Sequence, residues 1–266
     1  MREPKGPGGR RKKDIIYAIV LISLTVFIVI GASYLYFQGS NPPNPESFCP
    51  QSGALGHVVV LIDRTTPLNF IQQKSLYTYM DEIVKKRVNA GEQLTIFVID
   101  EDITKFSEPI FDKCNPGDGS TKSPWTEAPE KYAKLYKNFL KEFKEIEYFF
   151  DSPQPRQFSP IMEMLQIASI DGFGKHSIKG GKKLIIISDM LHNTLMYSQY
   201  KDKIDFQQFK QTDYFKKVRT NLADVEVEIA YLMHSPSLQN RGHAKFWEDY
   251  FKEMGARLTT VQLIQG

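Results

Sequence analysis

The 266-residue chain contains only two cysteines and no internal repeat, and it lacks the short motifs that announce the commonest chemistries. No Gly-x-Ser-x-Gly elbow is present, which removes the usual nucleophile turn of a serine hydrolase. Gly181-Lys182 is followed by Lys183 where a phosphate loop needs Ser or Thr, and it precedes a strand instead of following one. Two cysteines without further ligands at zinc-like spacing exclude a structural zinc site. Basic excess is missing from the bulk of the chain as well. The formal charge is +3, yet residues 1–14 hold six basic and two acidic residues, so the remaining chain sits near −1. A pI near 8.6 therefore gives no reason to expect a nucleic-acid partner, which needs basic charge on the folded domain.

What the sequence does contain is one long uncharged run. Residues 15–37 read IIYAIVLISLTVFIVIGASYLYF, long enough at ~1.5 Å per residue to cross a hydrocarbon core of ~30 Å. A cleaved signal peptide has a shorter apolar region, and this run ends in Tyr34, Tyr36 and Phe37, aromatic residues suited to a membrane interface. Arg2, Lys5, Arg10, Arg11, Lys12 and Lys13 precede the run, whereas Gln38 to Cys49 holds only Glu46. Basic residues stay on the cytoplasmic side. The expectation is a single-pass signal-anchor in the plasma (inner) membrane, with residues 1–14 cytoplasmic and the remainder periplasmic or extracellular. Residues 38–56, rich in Pro, Gly, Ser and Asn, read as a short stiff spacer before a domain over 57–266. In such a compartment Cys49 and Cys114 are expected to form one disulfide.

Beyond the spacer the chain alternates strands and helices. VVVLI at 58–62, LTIFVI at 94–99, LIII at 184–187 and VEVEIAYL at 225–232 are apolar runs of strands buried on both faces. Helices are expected over 68–88, with Phe70 on the apolar side, over the aromatic stripe from Tyr132 to Phe150, over 159–170 with Ser159 as N-cap, and over 244–254. A strand over 258–264 closes the domain, and residues 103–111 suggest an edge strand. This pattern predicts an α/β fold with a mainly parallel, doubly wound, Rossmann-type sheet. Sites in such sheets form at the carboxyl ends of the strands.

At those ends stand Asp63-Arg64-Thr65-Thr66-Pro67 and Ser188-Asp189-Met190-Leu191-His192. Two carboxylates with hydroxyls at one sheet edge make a hard-oxygen site of the kind magnesium or manganese prefers. The simpler alternative is that both aspartates cap the helices that follow. His192 and His234 come after the third and fourth buried strands. They could join a transition-metal cluster, but their loose spacing favours polar loop histidines.

Here the chain resembles a von Willebrand factor A domain. That fold opens with a strand ending in Asp-x-Ser-x-Ser, places a Thr or Ser before a later helix, and ends its fourth strand in Asp. The resemblance implies a metal-ion-dependent adhesion site built from Asp63, Thr65, Ser159 and Asp189, with magnesium or manganese as its ion. Pro67 stands in the place of the second Ser and removes one hydroxyl. The function implied is a non-enzymatic module that binds protein partners in a membrane complex. The competing reading is a metal-dependent or phosphate-handling hydrolase using Asp63 and Asp189. A dehalogenase-type phosphatase, however, resembles Asp-x-Asp-x-Thr, and Thr65 occupies the place of its proton donor.

Overall fold

The computed structural model describes residues 8–39, 43–123, 127–150, 155–175, 178 and 180–264. Helix α1 spans Gly8–Gly39, and within it Lys13–Tyr34 is long and apolar enough to cross a membrane, with a mean hydropathy of 2.8. Among the described residues it is the one such helix.

The domain then runs β1 (His57–Asp63), α2 (Phe70–Glu82), β2 (Gln93–Ile99), β3 (Phe111–Cys114) and α3 (Pro129–Glu145). It continues with α4 (Ile161–Ile167), β4 (Lys182–Ser188), α5 (Phe206–Phe209), α6 (Asp213–Val218), β5 (Val225–Leu232), α7 (Arg241–Glu253) and β6 (Arg257–Ile264). The six strands form one sheet in the order β3-β2-β1-β4-β5-β6, parallel throughout except for β3.

Every residue of β1 and β2 is buried, because helices cover both faces. Strand alternation sends Val59 and Leu61 into one core with α4, α5, α6 and α7, where Trp247, Tyr250 and Phe251 are buried. Val58, Val60 and Ile62 enter the other core with α2 and α3, meeting Leu76, Met80, Phe139 and Phe143. Each of these large side chains contributes roughly 1.5–3 kcal/mol by leaving water. The aromatic stripe of α3 is thus core packing.

Local chemistry fixes the element ends. Asn69 and Gln72 close a capping box on α2, so this helix starts later than the apolar pattern suggested. Phe70, placed by that pattern on the buried side, falls in the first turn and is 79% exposed. A π-helical turn over Ile83–Arg87 ends the segment, and Gly91 at φ +84° lets the chain reverse into β2. The edge strand is not at 103–111, which holds turns, but at Phe111–Cys114, where Asp112 accepts hydrogen bonds from Gln93 and Thr95 across β2.

The spacer's second half packs onto the domain. Cys49 and Cys114 are joined by a disulfide with a Cα–Cα distance of 4.7 Å. Phe48 beside it is fully buried, edge-on to Phe139.

Candidate functional site at the carboxyl edge of the sheet

In the order β3-β2-β1-β4-β5-β6 the winding reverses between β1 and β4. A crevice opens there, outside the carboxyl ends of the strands. β1 ends in Asp63 and β4 in Ser188, with Asp189 next in the chain; Ile62 and Ile187 are register partners. Both carboxylates are nearly sealed from solvent, at 5% and 2% exposure.

Buried carboxylates must be hydrogen-bonded, and Asp63 is fully supplied. Its Oδ1 accepts from the Thr65 amide at 2.9 Å and the Thr65 hydroxyl at 2.6 Å. Its Oδ2 accepts from the Ser188 hydroxyl at 2.6 Å and more weakly from the Ser159 hydroxyl at 3.4 Å. Asp189 Oδ1 accepts the Leu191 amide at 2.8 Å, and its Oδ2 accepts the Thr66 hydroxyl at 3.2 Å and lies 3.4 Å from His234 Nδ1. Burial first, then the negative charge of Asp189, pushes the Asp63 carboxyl up to about 6, against the pull of the Ser188 and Thr65 hydrogen bonds.

The structure therefore brings Asp63, Thr65 and Ser159 into direct contact, with Asp189 close enough to be felt through its charge. Ser159 does not cap α4; Pro160 occupies the cap position without a side-chain bond, and Ser159 pairs its backbone with Asn193. Ser188 and Thr66 belong to the cluster although only their neighbours were singled out from sequence. The signal for Ser188 is its place immediately before Asp189 at a strand end. Each hydroxyl can donate or accept, so a rotation of Thr65, Ser159 or Ser188 offers an oxygen lone pair to a hard cation beside the carboxylates. Among the described residues, no group of three or more His, Cys, Asp or Glu side chains could hold a metal. A cation here would depend on two carboxylates, hydroxyls and water. The donor chemistry fits magnesium or manganese, while the hydrogen bonds to Asp63 satisfy it equally well without one.

The histidines divide. His234 reaches Asp189 with one ring nitrogen and Gln72 with the other, at 3.2 Å. His192 turns into the core, where Nδ1 accepts the Met162 amide at 3.4 Å and Nε2 meets the Tyr214 hydroxyl at 2.9 Å. Burial lowers His192 to about 3 and His243 to about 4, so both are neutral core groups. They help hold Met190, which follows Asp189 at φ 60°, an unusual backbone for a non-glycine residue. The Met190 carbonyl accepts from Trp247 Nε1 at 2.9 Å and His243 Nε2 at 3.1 Å, fixing the turn that aims Asp189.

Beyond the cluster, Asp100 at the end of β2 is buried between Arg64 at 3.3 Å and Arg156 at 3.4 Å. Arg156, Thr65, Thr66, Ser159, Asn193 and Tyr200 line a cleft of about 170 Å³. Large apolar side chains are exposed on the segments that leave this edge. Phe70 and Ile71 stand exposed on the segment after β1; Leu195, at 86%, Met196 and Tyr200 stand exposed on the segment after β4.

The sequence matches no protein-family profile and no curated protein. Among solved structures it is similar to the VWA domain of SpRpn10, with a TM-score of 0.40 and 11% identity over 79% of this chain and 88% of that one. It is also similar to an aerotolerance-related membrane protein from Bacteroides fragilis NCTC 9343, with a TM-score of 0.39 and 9% identity over 79% of this chain and 92% of that one. Strand order, the antiparallel edge at β3, and the aspartates closing β1 and following β4 define the architecture independently of these distant likenesses. Behind one N-terminal apolar helix, residues 57–264 form a six-stranded, mainly parallel, doubly wound α/β fold, the architecture that the resemblance to von Willebrand factor A domains implies.

Proposed function

We propose that this chain is a membrane-anchored protein-binding module, a component of a membrane-associated complex, whose carboxyl sheet edge receives a protein partner. The observation that carries this reading is the set of exposed apolar residues on the two segments that leave the carboxyl edge. Phe70 and Ile71 stand exposed on the segment after β1, Leu195, Met196 and Tyr200 on the segment after β4, and Tyr200 lines the polar cleft at the sheet's carboxyl edge. Clustered exposed apolar residues with a polar centre are the signature of a docking surface. α1 is the anchor, and its basic N-terminal flank sets the domain outside the cytoplasm.

Asp63, Thr65, Ser159 and Asp189 are the residues that would hold a magnesium or manganese ion in this module. Such an ion would relieve the repulsion that raises Asp63 and present a positive centre to an acidic group of the partner. The chain's own contribution is to bury two carboxylates side by side and to keep hydroxyls within reach of both.

The test uses the full chain in native membranes, with a photo-cross-linking residue at Phe70 or Leu195 and, as control, at Ile170. A discrete protein adduct from each of the first two positions is expected, and the adduct from position 70 should be lost when Leu195→Glu is added. Adducts of equal yield at Ile170, or none at Leu195, would refute the docking face. Melts of the purified protein address the ion separately. Saturation at a hundred times the dissociation constant stabilises by about 2.7 kcal/mol. No shift at millimolar magnesium or manganese would remove the ion and leave the docking face standing.

A further inference from the structure

The two edges of the sheet are finished in different ways. At β3, residues 44–49 lie alongside the strand: the Cys114 amide donates to the Ser47 carbonyl at 2.9 Å, the Lys113 ammonium to the Glu46 carbonyl, and the disulfide ties the segment down. β3 has only four residues, two of them charged, and short charged edges discourage pairing. β6 has eight. Its inner side is bonded to β5, and among the described residues no strand lies on its outer side.

The first half of β6 carries a bulge, since Val227 opposes Leu258 and Glu228 opposes Thr260. From Thr260 to Ile264 the ladder is regular, with no proline, charge or bulge. This stretch has none of the devices that protect natural edges. Its register places Val261 and Leu263 on the α7 face, beside Ile229 and Tyr231, yet they remain 45% and 55% exposed. Thr260 and Gln262 take the α2 face. Open grooves flank the strand on both sides, about 380 Å³ toward α7 and about 530 Å³ toward α2. Ile264 is buried in the α2-side core, but neither helix covers the side chains from Thr259 to Leu263.

We propose that Thr260–Ile264 is a docking edge for an extended segment of a second protein, which adds one more strand to the sheet. The outward amide and carbonyl groups of an edge strand are met in full only by another extended backbone. The side chains define the segment further. It presents apolar residues over Val261 and Leu263 and small polar ones over Thr260 and Gln262, because cross-strand neighbours on one face of a sheet stabilise each other when like meets like. A second copy of this chain does not fit. Identical edges related by a two-fold axis pair antiparallel, and the spacer enters each sheet at its amino edge, beside the start of β1. The two apolar helices would then leave from opposite ends of the joined sheet and could not share one membrane. This surface lies on the flank of the sheet and is independent of the carboxyl-edge reading.

The experiment uses the full chain in detergent and, as probe, a fluorescent peptide with the β6 sequence RLTTVQLI. That peptide has the required alternation and no anchor to dictate its direction; in the direction it takes beside β6, one alternate set of amides faces the strand. Two further peptides carry N-methyl groups at odd or at even positions, so that only one set blocks the face turned to β6. Binding by anisotropy is expected, weakened about tenfold or more by one methylated set and unchanged by the other. The surface variant V261K/L263K should abolish binding while leaving the melting temperature near that of the parent. Equal effects of the two methylated sets, full binding to V261K/L263K, or no binding at millimolar peptide would each overturn the proposal.

Discussion

Replacing Asp63 by Asn should stabilise the ion-free protein at neutral pH, although it alters a side chain that accepts four hydrogen bonds. The carboxyl is held at about 6 in the folded chain, against 3.8 for the free group. The folded state therefore binds this proton more tightly than the unfolded state. Stability is fully present below about 3.8, falls as pH rises through about 6, and is lost by neutral pH. The difference corresponds to a penalty on the order of 3 kcal/mol for carrying the charge. Asn removes it. The new amide must donate instead of accept, which the Ser159 and Ser188 hydroxyls permit by rotating, at a cost of about 1 kcal/mol. A net gain of about 2 kcal/mol is expected at pH 7.5 in chelator, equivalent to roughly 4–8 °C in Tm for a domain of this size. Melts of parent and Asp63→Asn followed by near-ultraviolet circular dichroism between pH 4 and 8 give the result directly. The parent should show a stability that declines between about 4 and 6, and the variant should not. A variant less stable than the parent at pH 7.5, or one that keeps the parent's pH slope, would refute the argument.

Two other expectations follow from features already described. Cys49→Ser with Cys114→Ser opens a loop with a sequence separation of 65 residues, and chain entropy puts the loss at about 4 kcal/mol, read as a lower denaturation midpoint by intrinsic fluorescence; an unchanged midpoint would mean that Phe48 and its neighbours hold the segment without the bond. A reporter active only outside the cytoplasm, fused after Gly266, should be active in cells, and neutralising Arg10 to Lys13 should reduce that activity; cytoplasmic activity of the unmodified fusion would invert the orientation drawn from the basic flank.

The central strands were legible because burial on both faces writes an unbroken apolar run, as in VVVLI and LIII. Once β1 and β4 are neighbouring parallel strands, Asp63 and Asp189 must share an edge, so their proximity also followed from the sequence. Other features left weaker traces. β3 holds Asp112, paired across the sheet, and Lys113, bonded to the Glu46 carbonyl of the spacer and paired with Glu142 of α3, and so shows no apolar alternation. Helices α5 and α6, of four and six residues, are too short for a period and are set by the caps Asp205 and Thr212. Ser159 in front of Pro160 has the residue type of a cap, but the pull of Asp63 turns its hydroxyl elsewhere. Phe70 fits the apolar side of α2 by spacing. Only the position of the capping box reveals that it opens the first turn and is left exposed.

The pinned segment before β1 also sets a height. α1 ends at Gly39 and the described chain resumes at Pro43, four Cα steps that span at most ~14 Å. From there Phe48 and the disulfide hold the chain against the amino edge of the sheet, so the spacer contributes little slack. Seven-residue strands rise roughly 23 Å from that edge. With α1 in the bilayer, the domain stands as a short post that turns about its anchor. If the carboxyl edge receives a partner as proposed, that partner meets it at one level above the lipid, which narrows the search to lateral diffusion and rotation and favours partners fixed in, or resting on, the same membrane.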